Sequence, residues 1–162
     1  MDDTYLSYEN AALASGFRRE SRPKTRRNWS AITPGNASVP SSRGQVARVL
    51  ILDDDTGLLA ELGELVCLWG YQAITFSVPS AVLGYLGENH ADVLISDFDM
   101  PEMSGWQLAS LVADRHRCVK IGLMTGGTSS YDVRHGRWPL FSKPVAPDCL
   151  QRFVETSIGN MA

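Results

Sequence analysis

The chain from residue 46 onward alternates short apolar runs with stretches whose apolar residues recur at helical spacing. The run 46–52 is apolar except for Arg48, which is typical of a strand covered on both faces. Apolar side chains then recur at helical spacing from Leu58 to Trp69, and Gly70 ends this predicted helix. The same reasoning places strands at 73–76, 93–96, 119–124 and 140–142, and helices at 79–86, 104–113 and 147–158.

Strands that alternate with helices predict right-handed crossover connections, and therefore a parallel five-stranded sheet with helices on both faces. The stretch 125–139, between the fourth and fifth predicted strands, is rich in glycine and serine and has little apolar content at helical spacing. We expect the helix in this stretch to be short or missing. In such a sheet the functional loops leave the carboxyl ends of the strands, which is where candidate chemistry should be sought.

The first 45 residues follow a different pattern, because they offer serine, proline, asparagine and arginine but few large apolar side chains. We predict a disordered basic tail at 1–45 and a folded domain at 46–162, with a short helix over 5–17 as an alternative within the tail. Six basic residues fall between Arg18 and Arg27. A solvated linker is the favoured interpretation of this cluster, ahead of a nucleic-acid or partner-docking patch.

Composition and charge narrow the class of protein. The 162 residues, 44% apolar and 20% charged, fit one ordinary domain, and a net charge of −3 is too small to indicate nucleic-acid or membrane binding by the whole chain. Seven basic and four acidic residues give the tail +3, whereas eight and fourteen give the domain −6. The three scattered cysteines argue against a disulfide framework or a zinc site. Because no apolar stretch approaches the roughly 18 residues of a membrane helix, we expect a cytoplasmic protein without a membrane partner.

Polar residues collect at the predicted carboxyl ends of the strands. Asp53–Asp55 follow the first strand, Asp97–Asp99 the third, Thr125–Gly127 the fourth, and Lys143–Pro144 the fifth. Several carboxylates in a small volume repel each other, so this arrangement favours a cation among them. Oxygen ligands favour Mg²⁺ or Mn²⁺ over a softer metal. A divalent ion beside a carboxylate, a hydroxyl and a lysine is suited to phosphoryl transfer.

Four segments carry a resemblance to a known family. The segments are VLILDDDTGL (49–58), DVLISDFDMPEMSGWQL (92–108), IGLMTGG (121–127) and LFSKP (140–144), with 44 residues from Asp53 to Asp97, 28 more to Thr125 and 18 more to Lys143. In this order and spacing they resemble the CheY-like receiver domains of two-component response regulators, over about 46–158. The resemblance implies a flavodoxin-like, doubly wound sheet of five parallel strands.

The resemblance also implies a phosphoacceptor and a metal site. Asp97 matches the aspartate that takes the phosphoryl group as an acyl phosphate. Asp54 and Asp97, together with the backbone carbonyl of Asp99, match the direct ligands of Mg²⁺, and Asp53 matches the residue that holds the ion through water. Asp55 lies outside the matched acidic pair and is interpreted as a helix cap.

Two further residues complete the implied site. Thr125 would donate its hydroxyl to a phosphoryl oxygen, and Lys143 would pair with Asp97 or with the phosphoryl group. The Lys143–Pro144 bond is expected to be cis. The chain departs from the family at Leu140, where many receivers carry a switch aromatic, so the usual coupling of Thr125 to an aromatic side chain is not expected. The short or missing helix between the fourth and fifth strands predicts a remodelled signalling face.

The predicted function is that of a stand-alone receiver, a regulatory phosphoacceptor and not an enzyme in the ordinary sense. It would accept a phosphoryl group from a histidine kinase or a phosphotransfer protein and signal by binding an unknown downstream protein. The chain ends at Ala162, after the last predicted helix, so we expect no DNA-binding output domain. Two alternatives are a phosphohydrolase of the haloacid dehalogenase type, built on the D-x-D of Asp97 and Asp99, and a degenerate receiver that serves as a scaffold.

Overall fold

A sheet of five parallel strands organises the chain in the computed structural model, which describes residues 45–127 and 136–159. The strands are β1 (Arg48–Leu52), β2 (Gln72–Phe76), β3 (Val93–Asp97), β4 (Lys120–Thr125) and β5 (Leu140–Ser142). Their order across the sheet is β2-β1-β3-β4-β5, and every neighbouring pair is parallel. The predicted doubly wound α/β fold is confirmed, with strand ends that differ from the prediction by at most two residues.

Four helices flank the sheet in the described ranges: α1 (Thr56–Leu68), α2 (Pro79–Glu88), α3 (Gly105–Arg115) and α4 (Pro147–Gly159). Asp55 caps α1 by accepting hydrogen bonds from the backbone N–H groups of Gly57 and Leu58, as the sequence predicted. Ser104 and Gln107 form a capping box at the start of α3. The two caps fix the points at which α1 and α3 begin, near the carboxyl edge of the sheet.

Apolar side chains on the two faces of the sheet form two separate core clusters. Alternate residues of a strand point to opposite faces, and β1 shows this directly. Val49 and Ile51 pack in the cluster that includes α1 and α4, whereas Leu50 and Leu52 pack in the cluster that includes α2 and α3. Because β1 and β3 are buried on both faces, the residues that follow them are held by packing from two sides.

Two sequence predictions lie outside the described residues. The predicted tail, 1–45, lies outside them except for Gln45. The predicted absence or shortening of a helix between β4 and β5 concerns residues 128–135, which also lie outside them. Of the described helices, none combines the length and the apolar character that a membrane crossing requires.

Candidate functional site

Two aspartates at the carboxyl edge of the sheet share one lysine. Asp53 follows β1 and is fully buried, and Asp97 ends β3 with 3% of its surface exposed. The Nζ atom of Lys143 lies 2.6 Å from Oδ2 of Asp53 and 2.8 Å from Oδ1 of Asp97. The backbone N–H of Lys143 donates to the carbonyl of Thr125 at 2.7 Å, and the Lys143–Pro144 bond is cis, as expected. The carboxyl ends of β1, β3 and β5 thus bring one cation and two anions together.

A third carboxylate completes an acidic cluster. Asp54 is exposed, and one oxygen each of Asp53, Asp54 and Asp97 lie within 4.8 Å of one another. The Oδ1 atom of Asp53 accepts the backbone N–H of Asp55 at 3.0 Å, which fixes the orientation of this buried carboxylate. Three oxygen donors at this spacing, with one of them open to solvent, have the chemistry that a hard divalent cation requires.

Burial and charge shift the proton affinities of the central pair. Burial raises the pKa of the Asp97 carboxyl, the contact with Lys143 opposes the rise without cancelling it, and the charge of Asp53 adds to it. Burial alone would lower the pKa of Lys143, but its hydrogen bonds and charge interactions with the two aspartates outweigh this effect and raise that pKa. Lys143 therefore stays a cation at neutral pH, while the folded environment disfavours the anionic form of Asp97.

Backbone contacts fix the position of Asp97. The N–H of Phe98 donates to the carbonyl of Met124 at 2.7 Å, and the hydroxyl of Ser96 donates to the carbonyl of Asp97 at 2.9 Å. Gly105 begins α3 so close to Asp97 that a Cβ atom there would lie 2.0 Å from the Asp97 carbonyl oxygen. A glycine at this position therefore lets α3 approach Asp97.

Thr125 and Asp99 contact each other. The hydroxyl of Thr125 donates to Oδ2 of Asp99 at 3.2 Å, and the backbone N–H of Gly127 donates to the same hydroxyl at 3.4 Å. The Asp99 side chain is exposed, and among the described residues the cluster of three carboxylates consists of Asp53, Asp54 and Asp97 without it. The metal role predicted for Asp99 concerns its backbone carbonyl and stays a prediction.

Aromatic residues near β5 divide between the two faces of the sheet. Trp138 packs edge-on against Trp106 of α3, with ring centroids 4.6 Å apart, on the same side as Leu140. Phe141 packs against Phe153 of α4, with centroids 5.4 Å apart, on the opposite side. Leu140 thus lies in an apolar contact on the α3 side, at the place where many receivers carry an aromatic residue.

The strand order and the acidic edge with its lysine define a signalling receiver of the doubly wound α/β class. Residues 49–155 match the family model described as "Response regulator receiver domain". The chain belongs to the response regulator receiver family, whose members are regulatory phosphoacceptor domains. Phosphorylation and magnesium binding are typical of this family.

Several curated proteins are similar to the chain over part of their length. The transcriptional regulatory protein GlrR of Escherichia coli is 29% identical over 120 residues, which cover 72% of this chain and 27% of GlrR. The two-component response regulator ORR21 of Oryza sativa is 42% identical over 105 residues, or 60% of this chain and 15% of ORR21. This chain thus spans about a quarter of GlrR and less of ORR21.

Solved structures share the fold. A CheY-like response regulator receiver domain protein from Methanospirillum hungatei superposes with a TM-score of 0.66 at 21% identity, covering 72% of this chain and 97% of that one. A response regulator receiver domain protein from Clostridium thermocellum gives a TM-score of 0.64 at 21% identity, covering 71% and 96%. At 21% identity these similarities support the fold alone, and the chemistry of the site is argued from the residues of this chain.

Proposed function

We propose that the domain accepts a phosphoryl group on Asp97 from the phosphohistidine of a sensor histidine kinase or a phosphotransfer protein, and then signals through protein–protein contacts. The observation that carries the proposal is the shared lysine: Nζ of Lys143 lies 2.6 Å from Asp53 and 2.8 Å from Asp97. A buried carboxylate beside a fixed cation is suited to attack an anionic phosphoryl group, because the cation offsets the repulsion between the two.

In the proposed transfer, one oxygen of Asp97 attacks phosphorus as the phosphorus–nitrogen bond of the phosphohistidine breaks. The new bond is an acyl phosphate, and the histidine leaves with its electron pair and takes up a proton. Lys143 offsets negative charge on the phosphoryl oxygens and on the Asp97 carboxyl group. The Thr125 hydroxyl, which now donates to Asp99, is the proposed donor to a phosphoryl oxygen.

The acidic cluster is the proposed site for Mg²⁺ or Mn²⁺. Asp53, Asp54 and Asp97 offer carboxylate oxygens within 4.8 Å of one another, and the proposed set also includes the Asp99 carbonyl. A bound divalent cation would neutralise charge between the carboxylates and the incoming phosphoryl group. Asp54 is exposed and gives the cluster an open side toward solvent.

Labelling by a small phosphoryl donor tests the proposal. Incubation with acetyl phosphate and Mg²⁺ should add one phosphoryl group, detected by intact-protein mass spectrometry and by loss of the label in alkali or hydroxylamine. Asp97→Asn should abolish the labelling, whereas Asp148→Asn, which removes an exposed acid of α4, should leave it unchanged. Labelling that persists in Asp97→Asn would overturn the assignment.

A titration with Mg²⁺ separates a working receiver from a degenerate scaffold. Millimolar Mg²⁺ should quench tryptophan fluorescence in the wild type, and Asp54→Ala should weaken the effect at least about tenfold because it removes a proposed metal ligand. An unchanged signal in the wild type would favour the scaffold. Membership of the receiver family argues against the phosphohydrolase alternative.

The phosphoryl donor and the downstream partner protein also belong to the proposal. The curated relatives are mostly longer regulators, and the lack of an output domain stays a prediction from the sequence. Phosphotransfer profiling against purified histidine kinases would identify the donor, with Asp97→Asn as the control for transfer to another residue.

A further inference from the structure

A groove lies at the amino end of β4, at the opposite end of the strand from the acidic cluster. Its volume is about 560 Å³, within the range of about 300–1,000 Å³ that ligand sites commonly have. The wall residues come from the end of α3 and the loop after it, the start of β4, the segment before β5, and α4. They are Ala113, Asp114, Arg117, Val119, Lys120, Ile121, Arg137, Trp138, Pro139, Phe153 and Ser157.

The charge of the groove is opposite to that of the domain. Arg117, Lys120 and Arg137 are exposed and line it together with a single acid, Asp114. These are three of the eight basic residues in 46–162, a segment whose net charge is −6. Within 45–127 and 136–159, none of the three takes part in an ion pair; the Arg137 guanidinium lies over the Trp138 ring at 5.1 Å. The groove therefore attracts an anionic partner.

Part of β4 has no strand neighbour along this groove. β4 begins at Lys120, but β5 pairs only with Leu123–Thr125, so the first half of β4 has β3 on one side and, among the described residues, no strand on the other. Ile121 and Gly122 are nevertheless buried, and only Lys120 of this stretch is exposed. What β4 offers to a partner at this end is therefore a charged side chain.

The rest of the groove wall is apolar and aromatic. Phe153 packs against the strand at Gly122, where a Cβ atom would lie 2.9 Å from the Phe153 ring, and Trp138 forms part of the opposite wall. Arginine and tryptophan are enriched at the energetic centres of protein interfaces. The tail of the chain itself carries +3, so its charge does not complement the groove.

From the charge and the aromatic walls, we infer that this groove docks an acidic segment of a partner protein, with apolar side chains of that segment against the groove wall. The proposal is independent of phosphoryl transfer, because the groove and the acidic cluster lie at opposite ends of β4 and share no residue.

Fluorescence anisotropy with a labelled ten-residue peptide in which glutamate and valine alternate tests the inference. We expect saturable binding that weakens several-fold between roughly 50 and 300 mM salt. The double variant Arg117→Glu with Arg137→Glu should weaken binding about tenfold, since each reversed charge removes an attraction and adds a repulsion. Arg152→Glu is the matched control, because Arg152 is an exposed arginine of α4 that does not line the groove. It should change affinity less than about twofold.

Four results would overturn the inference. The first is that a peptide with lysine in place of glutamate binds with the same affinity, and the second is that Arg152→Glu weakens binding as much as the double variant does. The third is full displacement of the peptide by millimolar inorganic phosphate. The fourth is self-association of the domain through the groove in sedimentation experiments. Labelling of the double variant by acetyl phosphate should match the wild type, which keeps a failure of this inference distinct from a failure of the proposed function.

Discussion

The two ends of β4 hold charge in opposite ways. At the carboxyl end, Asp53 and Asp97 are buried and share Lys143 at distances below 3 Å. At the amino end, Arg117 and Lys120 are exposed, and no ion pair engages them in the described residues. Buried charges that several strands position at once can carry out chemistry, whereas exposed charges along a groove can select a partner at little cost in stability.

The two ends also differ in how tightly the backbone is packed. At the carboxyl end, α3 starts against the Asp97 carbonyl, where only glycine fits. At the amino end, β4 extends beyond β5 and leaves a groove of about 560 Å³. Substitutions at the carboxyl end should therefore cost stability, while equivalent ones at the amino end should change mainly binding.

The largest effect is expected for Gly105→Ala. A Cβ atom would lie 2.0 Å from the Asp97 carbonyl oxygen and 2.9 Å from its carbonyl carbon, so α3 or β3 has to shift. We expect a loss of about 3 kcal/mol in the free energy of unfolding, measured by urea denaturation, together with slower labelling of Asp97.

Two matched variants accompany Gly105→Ala. Gly84→Ala, in α2, meets nothing within 4 Å and should stabilise the domain by about 0.5–1 kcal/mol. Arg117→Ala, at the groove, should change stability by less than about 0.5 kcal/mol. A tolerated Gly105→Ala would show that the approach of α3 to Asp97 is not required.

The second effect is expected for Lys143→Met, which removes the cation and leaves Asp53 and Asp97 buried together. In EDTA at neutral pH we expect the free energy of unfolding to fall by about 2 kcal/mol. This loss is smaller than for a fully buried ion pair, because 21% of the Lys143 side chain is exposed. Lys120→Met at the amino end of β4 serves as the control and should cost less than about 0.5 kcal/mol. Equal losses in the two variants would contradict the difference between the two ends of the strand.

The acidic cluster could be predicted from the sequence because strand ends determine it. Residues that directly follow buried parallel strands meet at one edge, so the positions of Asp53, Asp97 and Lys143 followed from the strands alone. The capping role of Asp55 was likewise predicted from its position before α1 and is confirmed. What the sequence could not provide is distance: the contact of Thr125 with Asp99 depends on side-chain orientations that no pattern encodes.

The groove could not be predicted, because it arises from tertiary relations between elements that are distant in sequence. It depends on β5 being only three residues long, on the register that pairs Leu123 with Leu140, and on α4 placing Phe153 over Gly122. Arg117, Lys120 and Arg137 are isolated basic residues in the sequence, at positions without a shared period. The sequence indicated only a poorly patterned stretch before residue 137.

A third, smaller effect is expected from Mg²⁺. A ligand that binds only the folded state stabilises it, by about 1.4 kcal/mol at ten times its Kd. The melting temperature measured by scanning calorimetry should therefore rise with millimolar Mg²⁺ in the wild type and much less in Asp54→Ala. The double groove variant should respond like the wild type, because its substitutions lie at the other end of β4. A wild-type melting temperature that does not change with millimolar Mg²⁺ would contradict the proposed metal site.

The smallest effect is a gain in stability for Asp97→Asn in EDTA. Burial raises the pKa of Asp97 in the folded state, so the ionised carboxylate opposes folding above that pKa. The penalty is present at neutral pH and disappears as the pH falls through the raised pKa, because the folded state then takes up the proton more readily than the unfolded chain. Asp97→Asn should thus be more stable than the wild type by about 1 kcal/mol at pH 7, with the gap closing toward acidic pH. Asp148→Asn, at an exposed position of α4, is the control and should change the free energy of unfolding by less than about 0.5 kcal/mol at pH 7. A gap for Asp97→Asn that widened on acidification would mean that the site favours the Asp97 anion.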